Sequence, residues 1–199
     1  MKFIDRAFAT TVAVFALGSV AGALAVSSLP PLRVMIGTLL VVRLLKPVQE
    51  ASLFGSSVLV MLIFANNSTT VLLSFVYPLI LGKVRWTPTP SQKTMKLLLG
   101  GFSALAGFLI GFLNLGAILA WAWENGGWLM LQHLLAVSWL HGPVEFLFIL
   151  LAVAEPLRLR GIANRGIGLV DAVKEDWKLI CICLIGLLAS AIVQVLARA

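Results

Sequence analysis

Charged side chains divide the chain into long apolar runs. The runs cover residues 7–29, 51–81, 97–123, 128–154 and 179–197. Each meets or approaches the roughly 20 apolar residues that a helix needs to cross a hydrocarbon core of about 30 Å. Only the fourth contains histidines or a carboxylate, His133, His141 and Glu145. A further apolar stretch, 34–45, is too short to span and has Arg43 inside it, so it is expected to lie at the interface or to re-enter. Residues 167–178 alternate differently. Val170, Val173 and Trp177 fall on one helical face, and Asp171, Lys174, Glu175 and Lys178 fall on the other. The pattern predicts an all-α polytopic membrane protein forming a single transmembrane helical domain over residues 1–199. About five transmembrane helices and short interfacial helices are expected, and six-segment variants stay open.

The second run has a problem of length. As one helix it would reach roughly 46 Å, well beyond the hydrocarbon core. Asn66 and Asn67 sit at its midpoint, where an amide facing lipid is costly. Two outcomes are expected: a long tilted helix with the pair turned inward, or two half-helices broken at the pair. Gly82 and the basic stretch from Lys83 close the run. In the fourth run Gly142-Pro143 removes a backbone donor and should kink or restart the helix near His141.

Composition narrows the class. The chain is 60% apolar and 12% charged, with a mean hydropathy of +1.04, which excludes both a water-soluble globule and a disordered chain. The net charge of +7 does not point to nucleic acid, because the basic residues are scattered over the connecting loops. Eleven of the fifteen Lys and Arg lie on one side of a five-span topology, which predicts a cytoplasmic N-terminus and an external C-terminus in the cell membrane. Lys2 and Arg6 before an apolar run raise the question of a secretion signal. The run exceeds the usual core of about 7–15 residues and reads as a retained anchor. Cys181 and Cys183 lie about 200° apart around a helix and do not converge on a metal.

Ionisable groups at membrane depth are the first place to look for chemistry. His141 and Glu145 share a helical face, and His133 lies about 80° from it. Three readings stay open. His133, His141 and Glu145 make at most a sparse metal set, and neither a zinc-protease motif nor a nearby Cys or Asp completes it. A buried Glu–His pair would also serve a proton or ion relay. The third reading is a hydrogen-bonded network that ties helices together, with Glu145 bonded to His141 or to the asparagines of the second run. No nucleophile motif or phosphate loop is present, and no cofactor is expected. Gly18-x-x-x-Gly22 and Gly107-x-x-x-Gly111 permit close helix packing, either within one chain or in a homodimer.

The order of the polar motifs resembles the stage II sporulation protein M family of integral membrane proteins. The resemblance rests on Asn66-Asn67 in an apolar run, Gly82 closing it, Asn114 in the next span, and His141-Gly142-x-x-Glu145. Asn114-Leu115-Gly116 stands where the family has an Asn-Gly pair. The resemblance implies an all-helical membrane protein without an established catalytic activity. It also implies an intramembrane polar core of Asn66, Asn67, Asn114, His141, Gly142 and Glu145. In endospore formers such proteins assemble with envelope-remodelling enzymes, so the expected partners are the bilayer and membrane or envelope proteins. A transporter or ion-coupling protein is the alternative, and an intramembrane metal-dependent hydrolase a distant third.

Overall fold

The computed structural model describes residues 2–40, 55–83, 91–138, 142–162 and 169–196. Among them every secondary-structure element is helical: α1 (Lys2–Ser28), α2 (Pro30–Leu40), α3 (Ser56–Lys83), α4 (Gln92–Ile110), a π-helical turn (Gly111–Gly116), α5 (Ala117–Ser138), α6 (Gly142–Ile162), α7 (Leu169–Glu175) and α8 (Trp177–Leu196). Among the described residues four stretches are long and apolar enough to cross a membrane: Arg6–Ser28, Ser56–Lys83, Gln92–Ala136 and Trp177–Leu196. Helix α6, at 21 residues, is long enough to cross but carries Glu145, Glu155, Arg158 and Arg160. Large apolar side chains cover the outside, with Leu97 73% and Ile185 67% exposed. A surface of that kind suits lipid, not water.

Local chemistry sets the boundaries. Pro30 and Pro31 lack backbone donors, so α1 ends and α2 begins there with its proline in the first turn. Ser91 caps α4, its Oγ accepting from the Thr94 backbone N–H at 3.1 Å. Gly142-Pro143 opens a new helix, as its missing donor requires. Of the fourth apolar run, expected over 128–154, residues 128–138 belong to α5 and 142–154 to α6, and 139–141 lie outside the described residues. Inside α5 the chain bends at Gly127 (φ 59°, ψ −149°), a conformation that only glycine adopts without strain.

Helix α3 is continuous through Asn66 and Asn67, so the half-helix alternative is not realised. The stretch predicted at 34–45 is described only to residue 40, within α2. Arg33 of α2 pairs with Glu124 of α5 at 3.2 Å, and Gly37 lies under the Trp121 ring. The amphipathic segment predicted at 167–178 divides at Asp176 between α7 and α8. Val173 is buried and Asp171 and Lys174 are exposed as expected, but Trp177 opens the next helix and is exposed.

The long helices alternate in direction. Thr11 meets Ser103 (3.4 Å between the hydroxyl oxygens) while Gly18 and Gly22 meet Phe108 and Phe112, so α1 and α4 run parallel. Phe15 packs on Phe146 (5.4 Å between ring centres) while Ser103, beside Thr11, bonds Val153, so α6 runs against them. Tyr77 near the end of α3 stacks on Phe102 near the start of α4 (4.2 Å) and donates to the Leu98 carbonyl. Leu59 at the start of α3 packs on Val195 at the end of α8. The main core gathers Val71 and Phe75 of α3, Leu99 and Ile110 of α4, Ile149, Val153 and Leu159 of α6, and Leu187 of α8. Helix α6 lies in the middle, touching α1, α3, α4 and α8.

In lipid, close approach and hydrogen bonds hold helices together, because burying apolar surface gains little there. The seam between α1 and α4 shows how. A β-carbon at Gly18 or Gly22 would collide with the carbonyls of Phe108 and Phe112. From the other side, one at Gly111 or Gly116 would collide with the carbonyls of Phe15 and Ser19. Both glycine motifs are thus used within one chain. Gly111 and Gly116 are five positions apart, which in an α-helix would set them about 140° apart. The π turn, in which the Ala117 N–H reaches back to the Phe112 carbonyl, brings both to face α1.

Candidate functional site

Polar groups meet at three levels along α6. At its first turn Glu145 favourably faces the positive end of the helix dipole. Its carboxylate faces the Asn67 amide in the middle of α3. Asn66 Nδ2 in turn donates to Asn67 Oδ1 at 3.3 Å. Neighbours on a helix point about 100° apart, so only one asparagine can face α6. Asn67 does, half-buried, and Asn66 is exposed on the outer surface.

At the second level Ser103 Oγ of α4 donates to the Val153 carbonyl at 2.6 Å. Thr11 Oγ1 of α1 lies 3.4 Å from the same hydroxyl and also bonds the Ala7 carbonyl. Pro156, one residue beyond Glu155, has no N–H for the Ala152 carbonyl and loosens the ladder beside this contact. Three helices are joined by two buried hydroxyls.

The third level is ionic. Glu155 is 1% exposed, and its two oxygens take Arg158 Nε and Nη2 at 2.8 and 2.7 Å. The same Nη2 pairs with Asp176, the residue between α7 and α8. Burying a carboxylate costs several kcal/mol unless it is well paired, and a two-pronged guanidinium contact supplies that pairing. The clasp fixes the α7–α8 corner to the end of α6. Sequence reasoning missed it, although an acid and a base three residues apart at the end of an apolar run was a usable signal.

Of the remaining predicted positions, Asn114 and His133 lie apart from Glu145. Asn114 lies in the π turn and is exposed, because the turn that points Gly111 and Gly116 at α1 points it away. His133 is exposed on the far part of α5. Gly142 is half-buried at the first position of α6, and His141 lies outside the described residues. Among the described residues no three His, Cys, Asp or Glu side chains form a group able to hold a metal ion. The chemistry open to the arrangement is hydrogen bonding between helices and, at Glu145, proton exchange with an amide-lined neighbourhood. Comparison with family models, with curated proteins and with solved structures finds no match to this chain.

Proposed function

We propose that the chain is a non-enzymatic multi-pass scaffold of the cell membrane, resembling stage II sporulation protein M, that organises partner proteins of the envelope. The observation that supports it is how the polar side chains along α6 are engaged. Asn67–Glu145, Thr11–Ser103–Val153 and Glu155–Arg158–Asp176 each join separate helices or the turns between them. Groups engaged in this way fix a packing arrangement. In this reading α6 is a fifth crossing, its charges shielded by neighbours, with the N-terminus cytoplasmic and the C-terminus external. The Glu155 clasp then lies at the basic, cytoplasmic end.

The test is affinity isolation of the tagged chain from its native membranes after mild crosslinking. An envelope protein recovered in stoichiometric amount is expected. Recovery of the chain alone, together with solute flux in proteoliposomes, would remove the scaffold reading.

One observation favours the alternative of ion coupling. Glu145 is paired with a neutral amide, and Asn67 leads on to the exposed Asn66. Proton or cation flux into vesicles, abolished in Glu145→Gln, would establish that alternative. Flux equal to that of empty vesicles would end it.

A further inference from the structure

Asn114 makes no hydrogen bond with any described residue, and its amide is exposed on the outside of the bundle. Along the helix it lies about 13 Å from Trp123 and about 25 Å from Leu97, the two ends of an uncharged run. With α4 crossing the bilayer, that places the amide inside the hydrocarbon, where no headgroup or bulk water reaches it. An amide left unbonded there costs several kcal/mol. The apolar side chains nearest to it along the outer surface are Leu109 and Leu113, 43% and 39% exposed.

We infer that the outer surface of the π turn is a homodimer contact in which Asn114 pairs with Asn114 of a second copy. The occupant follows from the chemistry of the amide and from membrane geometry. Two copies inserted in the same orientation are related by an axis normal to the bilayer, so each residue returns at the same depth. A side chain on that axis therefore meets its own counterpart. Most polar side chains gain nothing from such a meeting, since like charges repel. An amide carries both a donor and an acceptor, so two of them satisfy each other. The glycine motifs that ordinarily suggest dimers are already occupied inside the chain by α1 and α4, so they are not free to join two copies. The inference needs only that α4 crosses the membrane and does not depend on the scaffold reading.

The test uses full-length chain carrying a donor or an acceptor fluorescent protein, reconstituted in phosphatidylcholine vesicles over a series of protein-to-lipid ratios. Energy transfer is expected for the natural sequence. Asn114→Leu should weaken the association on the order of tenfold, and Asn114→Gln should preserve it. Asn66→Leu, which removes another exposed amide, should leave it unchanged. Because Asn114 is exposed and makes no hydrogen bond with any described residue, the Leu variant should melt like the natural protein. As a second measurement, Asn114→Cys should give a disulfide-linked dimer on mild oxidation, where the parent with Cys181 and Cys183 gives none. Equal association of Asn114→Leu and the natural chain would overturn the inference. So would absence of transfer at every density, failure of Asn114→Cys to cross-link, or association only in membranes that contain other proteins.

Discussion

The carboxylate of Glu145 faces the Asn67 amide, so the centre of α3 meets the first turn of α6 at a polar contact. The contact links two helices that are otherwise held by apolar side chains. Glu145→Leu would leave the Asn67 amide without its acceptor at a cost of about 1–3 kcal/mol. Glu145→Gln keeps an acceptor oxygen and should lose much less. Thermal unfolding in detergent micelles measures both, and a Leu variant as stable as the natural chain would count against the contact.

The seam between α1 and α4 leaves no room for side chains. Gly18→Ala and Gly111→Ala each push a methyl group into a backbone carbonyl that cannot move aside. Overpacking of that kind costs about 1–3 kcal/mol. Gly101→Ala offers the control, because open space surrounds it. There the helix gains up to about 1 kcal/mol from the better helix former. Melting temperatures should move in opposite directions for the two kinds of variant.

The clasp at the end of α6 should respond unevenly. Arg158→Met leaves Glu155 charged, buried and unpaired, at a cost of about 3–5 kcal/mol. The double variant Glu155→Gln/Arg158→Met should recover part of that loss. Asp176 is partly exposed, so Asp176→Asn should cost under about 1 kcal/mol. Denaturant titration followed by tryptophan emission gives all three values, and equal losses for Arg158→Met and Asp176→Asn would contradict the geometry.

Gly127 holds a left-handed backbone in the middle of α5. Gly127→Ala either strains that bend by about 1–2 kcal/mol or straightens it. Straightening would swing residues 128–138 to a new direction. Spin labels at Trp123 and Leu135 should report a changed separation, and an unchanged distance with unchanged stability would refute the role of the glycine.

Much of the fold could be read because lipid imposes simple rules. Long uncharged runs stand out, and Pro30-Pro31 and Gly142-Pro143 mark helix starts for reasons of missing donors. The boundaries of the fourth run could not be read from charge alone. Between Trp128 and His141 little besides Gln132 and His133 is polar, so hydropathy passes smoothly from α5 into α6. The asparagine pair showed that α3 needed a polar neighbour, but not which member would find one, since register depends on how α3 packs on α6. Asn114 was expected in the polar core on the resemblance, and the structure places it on the outside, because the π turn adds a residue to the local repeat and turns it away from α1. Arg158 counts as a loop cation when basic residues are tallied for orientation, and its partner in the core becomes visible only once α6 is seen to continue to Ile162.

Gly18 and Gly22 find their partners at Phe108 and Phe112, some ninety residues later in the chain. At ribosomal speeds of about 5–20 residues per second, the opening helix waits several seconds before its companion has been synthesised. Throughout that interval its notched side is bare to lipid, within reach of whatever other helix drifts by. The α1–α4 seam can therefore close only once α4 has been made.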